Sequence, residues 1–280
     1  MTKKPEDFLD SLTSYSTSQL TYNDYLKVAD LLELQVPQSD PAHHDEMLFI
    51  IIHQAYELWF KLIIHEMETA ITLMEQKNIL RAHHFMKRVV EIMKILIPQI
   101  HLLETMTPAE FLQFRYRLQP ASGFQSIQFR EVEFLAGLRD TRYLGFFKER
   151  SALRDRLERR LKEKSLRDAY YGMLKALGHE LPADVSVEAF QNKPEIREKI
   201  LSTLSVFYRE PEKNMPLYLL TEALVDFDEH LGLWRDHHVR VVERVIGFKT
   251  GTGGSSGAAY LQATTRKQCF PCLWQVRTVL

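Results

Sequence analysis

The sequence predicts an all-α fold. Apolar residues recur at helical spacing along most of the 280 residues, and no alternating apolar–polar run is paired with a tight turn. Proline and capping residues divide this pattern into long segments without an internal repeat, a low-complexity tract or a linker. We therefore expect residues 1–280 to form one helical domain with a single core.

The composition is that of an ordinary globular protein, with 45% hydrophobic and 26% charged residues. The formal net charge of −1 gives no electrostatic signature for binding nucleic acid or an anionic membrane. Apolar runs are too short to span a bilayer, and the amino terminus lacks the apolar stretch of a signal peptide. We expect a cytoplasmic protein that binds neither nucleic acid nor a membrane.

Cys269 and Cys272, the two cysteines of the chain, form a CxxC motif near the carboxyl terminus. The motif lacks the second pair of ligands of a zinc site and the preceding strand of a redox site. We interpret the two residues as incidental thiols, and we expect no disulfide framework.

The first long helix is predicted from the segment DPAHHDEMLFIIIHQAYELWFKL. Asp40 is a suitable N-cap, and Pro41 is suited to the first helical position. Residues 48–64 are apolar almost all round the helix, which predicts a central and buried position. A second helix is expected over about residues 82–105, with a kink at Pro98.

Capping signals define the helices that follow. Thr107, Pro108 and Glu110 form a capping-box sequence in TPAEFLQFRYRLQP, and Pro120 is expected to end that helix. The segment QSIQFREVEFLAGL predicts the next helix. The charged segment KERSALRDRLERRLKEKSLRD predicts a solvated helix that is stabilised by ion pairs between residues i and i+4.

The last third of the chain contains the longest amphipathic pattern. Residues 178–194 have the weakest periodicity and fit either a short excursion or a lid. Helix resumes at about residue 195, breaks near Pro211 and restarts after Asn214, and its apolar residues then follow steps of four and three. The buried seam predicted from these steps consists of Leu220, Leu224, Phe227, Leu231, Trp234, His238, Val241 and Val245.

His238 lies on this seam and needs a partner for its ring nitrogens among apolar neighbours. Spacing alone favours a core histidine that is bonded to a backbone carbonyl. The functional alternative is an axial ligand to a flat hydrophobic cofactor such as haem, which helical bundles hold in their cores.

A second histidine shares one helix face with aromatic residues. Phe49, His53, Tyr56 and Phe60 are spaced at i, i+4, i+7 and i+11. This pattern is typical of core packing, but it also describes a pocket for a planar substrate.

Arg115 lies close to the apolar face of its helix, which includes Phe111. An inward-facing arginine needs an anion, which is either a carboxylate of the protein or one that belongs to a ligand. Ser122, in the turn that follows, offers hydroxyl and amide donors near the same place.

The glycine-rich segment GFKTGTGGSSGAAYL follows a helix, and it lacks both the strand of a dinucleotide site and the GK[ST] ending of a P-loop. Gly247 is expected to end the helix. Thr252 and the neighbouring amides suit the carboxylate or ammonium group of a small ligand, whereas glycine content alone favours a flexible surface loop. Together with the two histidines and the arginine, this segment suits an aromatic amino acid held beside a haem.

Four segments, HHDEMLFIIIHQAYELWFK, FRYRLQPASGFQSIQFR, LWRDHHVRVVERVIG and GTGGSSGAAYL, closely resemble the signature segments of the tryptophan 2,3-dioxygenases. The early segment LTYNDYLKVADLLELQ is also similar, so the resemblance runs in order from about Leu20 to the carboxyl terminus. It implies an all-α bundle around a haem b pocket. It also implies an enzyme that opens the indole ring of L-tryptophan with O2 to give N-formyl-L-kynurenine, the first step of the kynurenine pathway.

The resemblance implies roles for individual residues. His238 is the implied proximal ligand of the haem iron, and His53 is the implied distal, catalytic histidine, which accepts a hydrogen bond from the indole N–H. The further substrate contacts that the resemblance implies are Phe49, Phe111, Arg115, Ser122 and Thr252, with Arg115 on the carboxylate. Ser122 and Trp234 are the implied cofactor contacts. Phe111 stands where we expect the family to accept tyrosine.

The tryptophan 2,3-dioxygenases form homotetramers in which an N-terminal segment of one subunit completes a neighbour's site. Residues 1–35 are the matching segment here, and Tyr22, Tyr25 and Leu26 are the matching contacts. Three other functions remain as alternatives, namely a haem sensor without turnover, a helical scaffold without a cofactor, and an indoleamine dioxygenase of broader specificity. A distal histidine at position 53 favours the tryptophan-selective branch.

Overall fold

Helices account for all regular secondary structure in the computed structural model, which describes residues 20–147, 151–251 and 257–280. The thirteen α-helices in these ranges are α1 (Tyr22–Leu26), α2 (Val28–Leu32), α3 (His44–Glu75), α4 (Ile79–His101), α5 (Pro108–Arg115), α6 (Ile127–Ala136), α7 (Ser151–Lys162), α8 (Leu166–Ala176), α9 (Val187–Asn192), α10 (Pro194–Arg209), α11 (Met215–Ile246), α12 (Ala258–Gln262) and α13 (Pro271–Gln275). The 3₁₀ turns are Leu102–Thr105, Tyr116–Leu118, Gly123–Gln125, Thr141–Phe147 and Val276–Val279. The predicted all-α class is confirmed.

The chain divides into two compact units, one up to residue 37 and one over residues 38–280. In the first unit α1 and α2 follow each other directly, and Tyr22 and Tyr25 of α1 are 75% and 70% exposed. The second unit contains α3–α13. That the whole chain acts as one domain, and that its N-terminal segment reaches a neighbouring subunit, stay predictions.

The N-cap of α3 is His43 rather than Asp40, so the prediction that Pro41 opens this helix is wrong. The buried carboxylate of Glu46 accepts hydrogen bonds from the Ser39 amide at 3.0 Å and from the amide before it at 2.6 Å. The Ser39 hydroxyl in turn accepts from the His43 amide at 2.8 Å. These bonds fold the preceding segment back onto the first turn of α3, and the helix therefore starts later.

The core is built around α3, α4 and α11. α4 packs along both of the other helices, and α3 contributes Ile63, Met67 and Met74, whose side chains have no exposed surface. α3 is therefore central, as predicted. It is not buried all round, however, because Ile51 and Leu58 are 47% and 55% exposed. An apolar composition does not show which face of a helix is left without a neighbour in one chain.

α3 also corrects the prediction that every apolar run is too short to span a bilayer. In the described part of the chain it is the one helix whose length and mean hydropathy, 1.5 over 18 residues, meet that criterion. A helix that is buried in a protein core meets the same criterion. Here the buried carboxylate of Glu66 pairs with Arg88 of α4 at 2.8 Å, so this face of α3 is packed against protein.

The capping box predicted at the start of α5 is confirmed. The Thr107 hydroxyl accepts a hydrogen bond from the Glu110 amide at 3.2 Å, and the Glu110 carboxylate accepts one from the Thr107 amide at 2.7 Å. α5 ends at Arg115 rather than at Pro120, because the chain tightens into the 3₁₀ turn Tyr116–Leu118. This early end places Arg115 in the last turn of a short, firmly capped helix.

α7 is not the purely solvated helix that its charge pattern predicts. Arg154 and Glu158 form one of the expected i, i+4 ion pairs, at 2.7 Å. Arg156 and Arg160, however, both bind the fully buried carboxylate of Glu131 on α6. One face of α7 is thus docked on α6 by charge pairs that join two elements.

A buried carboxylate on α11 anchors the C-terminal segment. Asp228 accepts hydrogen bonds from the amides of Cys269 and Phe270 at 2.8 and 2.9 Å, and from the indole N–H of Trp274 at 3.0 Å. Both cysteines are free and buried, and burial raises the pKa of Cys272 to about 11. The CxxC motif therefore consists of protonated thiols that pack in the core at neutral pH.

We expect Asp228→Ala to lower the free energy of unfolding by about 3 kcal/mol, because three buried donors lose their acceptor. Urea denaturation followed by circular dichroism measures the change. Asp236→Ala, at an exposed position of the same helix, is the matched control and should change stability by less than about 0.5 kcal/mol. Equal stabilities of the two variants would contradict the anchoring role.

Candidate active site

A cavity of about 590 Å³ lies in the second unit, with walls from α3, α6 and α11. The predicted site residues that line it are Phe49, His53, Phe111, Ser122, Trp234 and His238. Most of the remaining lining is aliphatic or aromatic. The fold therefore brings both candidate histidines and the aromatic candidates to one enclosed space.

His238 opens onto this cavity from α11. The other seven residues of the predicted seam are buried, and His238 is half-buried. Among the described residues no hydrogen bond reaches either ring nitrogen of His238, so the backbone-carbonyl alternative does not apply there. Burial, with smaller contributions from the nearby His53 and Arg130, lowers the pKa of His238 to about 4. The imidazole is therefore neutral at pH 7 and has a nitrogen lone pair that can ligate a metal.

The His53 ring is held in one tautomer. Its Nδ1 lies 2.6 Å from the carbonyl oxygen of Phe49, and because that oxygen only accepts, Nδ1 carries the proton. Solvent reaches the ring through the cavity, while protein atoms surround its other sides. Burial lowers the His53 pKa, although the Phe49 carbonyl and the Glu57 carboxylate act in the opposite direction. A neutral His53 presents Nε2 as an acceptor for an N–H group of a ligand.

Flat aromatic surfaces lie beside both histidines. The Phe49 ring centroid is 4.1 Å from that of His53 and 5.6 Å from that of Phe111. Trp234 stacks on His238, with 5.2 Å between the centroids and 27° between the ring planes. The cavity therefore offers planar ligands two aromatic clusters, each of which contains a neutral imidazole packed against an aromatic ring.

Arg115 donates from Nη2 to the carbonyl oxygen of Thr250. Its Nε is buried without a partner, and no acidic group pairs with it in the ranges that the structure describes. Arg115 thus forms no ion pair with a protein carboxylate in the described ranges. Arg115 does not itself line the cavity, but the segment that it binds reaches the lining at Gly251 and Gly257.

The glycine segment has one position where a side chain does not fit. Gly257 has a φ of +64°, and a Cβ there would lie 2.5 Å from the carbonyl oxygen of Lys249. Gly247 ends α11, as predicted. Thr252 lies outside the described residues, so its substrate contact stays a prediction.

Other predicted contacts lie in different surroundings. Ser122 lines the cavity, and its hydroxyl accepts a hydrogen bond from the Phe124 amide at 3.4 Å. Tyr22, Tyr25 and Leu26 belong to the first unit, where Leu26 is 44% exposed and the tyrosines more so. Their role in a neighbour's site stays a prediction.

Sequence reasoning missed a buried ion cluster in the cavity wall. Arg130 and Arg235 donate to the two carboxylate oxygens of Glu133 at 2.5 and 2.6 Å, and all three residues line the cavity. Each of the three is less than 10% exposed. The sequence does indicate buried charges here, because Arg130 and Glu133 interrupt an apolar helix and Arg235 follows Trp234 of the seam. Charges in a buried helix need partners, but the pairing of Glu133 with a residue on α11 is not visible in the sequence.

Glu57 was also missed, although it lies one helical turn after His53 and borders the cavity. Its carboxylate accepts hydrogen bonds from the Ser126 hydroxyl at 2.6 Å and from the Gln128 side-chain amide at 2.8 Å. Ser126 is the N-cap of α6. Glu57 therefore ties α3 to the turn that carries Ser122.

Comparison with a family model gives a match over most of the chain. The model described as tryptophan 2,3-dioxygenase matches residues 9–175 and 195–280. The intervening residues, which the model leaves unmatched, include the whole segment of weakest helical periodicity, residues 178–194.

Curated relatives have the same description. A protein of Nocardioides sp. named tryptophan 2,3-dioxygenase is 44% identical over 268 residues, which are 94% of this chain and 96% of that protein. Proteins of the same name from Herpetosiphon aurantiacus and Myxococcus xanthus are 43% and 41% identical. Both alignments cover 93% of this chain. They cover 98% of the Herpetosiphon protein and 89% of the Myxococcus protein. The similarity thus extends over nearly all of each chain.

Proposed function

Because the chain belongs to the tryptophan 2,3-dioxygenase family, we propose that it oxidises L-tryptophan with O2. The bond between C2 and C3 of the indole breaks, both oxygen atoms enter the product, and N-formyl-L-kynurenine forms as the first product of the kynurenine pathway. The observation that carries this proposal is one apolar cavity with two neutral histidines. One of them is free to ligate a metal, and the other can accept a hydrogen bond from a ligand N–H.

The cavity suits haem b as the cofactor. Its volume of about 590 Å³, its aromatic lining and the neutral imidazole of His238 all suit an iron porphyrin. When bound, the haem iron supplies the binding and activation of O2. His238 would ligate the iron, and Trp234 would restrict rotation of that imidazole because it stacks on the ring. Ser122 would contact the porphyrin from the turn before α6.

His53 and its neighbours would position the indole. Phe49 and Phe111 provide the aromatic surface beside the His53 ring. Nε2 of His53 would accept a hydrogen bond from the indole N–H, because Nδ1 already donates to the Phe49 carbonyl. The indole N–H is a very weak acid, so His53 orients the substrate and is not an obligatory base.

Arg115 would bind the substrate carboxylate, and Thr252 would contact the carboxylate or the ammonium group. The present partner of Arg115 is a neutral carbonyl. A carboxylate would replace it with charge-assisted, bidentate hydrogen bonds, which are stronger and fix the orientation of the ligand. This contact would hold the amino-acid end of the substrate while His53 holds the indole end.

The proposed assembly is a cytoplasmic homotetramer that binds neither nucleic acid nor a membrane, in which residues 1–35 of one subunit complete a neighbour's site. The exposure of Tyr22, Tyr25 and Leu26 in the first unit supports a partner for this segment. The apolar surface of Ile51 and Leu58 on α3 supports a further contact between subunits.

Turnover is tested by mixing the ferrous protein with L-tryptophan and ¹⁸O₂ and analysing the product by absorbance and mass. We expect N-formyl-L-kynurenine with two labelled oxygen atoms. His53→Ala should keep measurable turnover and lose roughly tenfold in tryptophan affinity, the effect of one hydrogen bond. A wild-type protein that binds tryptophan without forming product would favour a sensor. Abolished turnover with unchanged affinity in His53→Ala would make His53 the base.

Substrate selectivity is expected to depend on Arg115. Arg115→Leu should raise KM for L-tryptophan by roughly 100-fold, because the carboxylate loses its charged partner. Steady-state kinetics with tryptamine, which lacks the carboxylate, should show no such effect of the substitution. Arg117→Leu, two residues further and exposed, is the control. Equal losses with both substrates would contradict the assignment.

Site sharing predicts complementation between inactive variants. Tyr25→Ala and His238→Ala subunits should each assemble into tetramers of the 32.9 kDa chain with little activity. Mixed tetramers should regain activity, because an intact cavity then meets an intact N-terminal segment. Sedimentation and activity after subunit exchange measure both properties. Mixed tetramers without recovered activity would contradict a shared site.

A further inference from the structure

The ion cluster in the cavity wall has an excess positive charge. It contains two guanidinium groups, Arg130 and Arg235, and the single carboxylate of Glu133. Arg235 also donates to the carbonyl oxygen of Lys267 at 3.1 Å, so both of its Nη atoms have an acceptor. Arg130 has Glu133 as its one anionic partner in the described residues. A buried cation without a full counter-charge is costly, so this site favours an added anion.

Arg130 also has an unused donor. It is 6% exposed and lines the cavity, and its Nε is buried with no hydrogen-bond partner among the described residues. Nη1 donates to Glu133, whereas Nη2 also has no partner there and, unlike Nε, is not fully buried, so Nη2 is the donor that a ligand can reach. The guanidinium lies 4.0 Å from the Tyr143 ring centroid and 4.8 Å from that of Phe129. These ring faces attract the cation but do not accept the in-plane N–H bond.

The neighbouring acid on α6 does not supply the missing charge. Glu131 follows Arg130 in sequence, and a step of about 100° turns it to another face of the helix. Its carboxylate is bound by Arg156 and Arg160 of α7. Glu57, the other acid of the cavity lining, accepts from Ser126 and Gln128 and forms no ion pair with Arg130 in the described residues. A ligand in the cavity is thus a source of the second anion for this cluster.

We propose that Arg130 binds a carboxylate of the porphyrin through a charge-assisted hydrogen bond in the cavity wall. This inference rests on the proposed haem cofactor, and it assigns the porphyrin carboxylate to a residue that is separate from the Arg115 site. Haem has carboxylates on its edge, and an arginine is well matched to such a group because it stays charged and presents donors in one plane. Arg130 is thus a cofactor-binding residue, and the porphyrin carboxylate balances the second positive charge of the cluster.

One residue of the cluster, Arg130, can be substituted without leaving an unpaired charge. In Arg130→Gln the Glu133 carboxylate keeps Arg235 as its partner, so a neutral buried pair remains. The substitution removes the excess charge and leaves no unpaired anion. We therefore expect the apoprotein to fold with unchanged or higher thermal stability. Arg130→Lys retains the charge and serves as a second variant if Arg130→Gln does not fold.

The test titrates the full-length apoprotein with haemin and with haemin dimethyl ester, in the same dilute detergent, and follows the Soret band. Wild-type protein should bind haemin roughly 10- to 100-fold more tightly than the ester, as a charged hydrogen bond predicts. Arg130→Gln should lose most of this preference because its affinity for haemin falls while its affinity for the ester stays unchanged. Arg130→Lys should retain part of the preference.

Arg139→Gln is the matched control. The Nε of Arg139 is also buried without a partner, but Arg139 binds Asp168 and does not line the cavity. This variant should keep the wild-type preference for haemin over the ester. A wild-type preference in Arg130→Gln, or an equal loss in Arg139→Gln, would overturn the inference and leave the haem proposal standing. Weaker tryptophan binding in Arg130→Gln with an unchanged porphyrin preference would assign Arg130 to the substrate. A wild-type chain that binds neither porphyrin would overturn both proposals.

Discussion

The half-buried imidazole of His238 is the group on which the proposed site depends, because α11 places it in an apolar seam where no described residue is a hydrogen-bond partner for its ring. A polar group in such surroundings costs free energy unless a ligand satisfies it. Burial keeps the ring neutral, with a pKa of about 4, and leaves its lone pair available at physiological pH. The same long helix packs along α4 and carries Trp234 and Arg235, so the surroundings of this imidazole are set by the core itself.

The other polar groups at the cavity follow the same principle. His53 uses one nitrogen on the Phe49 carbonyl and keeps the other for the cavity. Arg115 and Arg130 each have a buried Nε without a partner in the described chain, and each lies near a different part of the site. One cavity thus has a neutral imidazole that can ligate a metal and an acceptor for an N–H group, with Arg130 in its wall and Arg115 beside the glycine segment that borders it. This combination suits two ligands at once, a porphyrin with carboxylates and an amino acid with an aromatic side chain.

Local signals in the sequence predicted most of the helices, and tertiary contacts explain the errors. The capping box at Thr107 and the seam of α11 were predicted correctly, because both depend on short-range spacing. The start of α3 was misplaced because the Glu46 carboxylate binds the amides of the preceding turn. The exposure of Ile51 and Leu58 and the docking of α7 on Glu131 depend on which elements meet, and residue spacing does not contain that information.

For the site, residue spacing identified His238, His53 and Arg115 as polar groups on apolar faces. It missed the cluster of Arg130, Glu133 and Arg235, because its partners come from two helices that are far apart in sequence. Residue type in the glycine segment also pointed to Thr252, whereas the N-terminal tyrosines came only from the resemblance to a family. The spacing of Tyr22 and Tyr25 is that of ordinary amphipathic helix positions.

The most direct test of the role of His238 is a cavity variant that imidazole rescues. His238→Gly removes the ring and keeps the space beside the porphyrin, so free imidazole can take its place. We expect haemin to bind wild-type protein with a histidine-ligated Soret spectrum, His238→Gly to lose this spectrum, and added imidazole to restore it. A His238→Gly protein that binds haemin with the wild-type affinity and spectrum in the absence of imidazole would contradict the account.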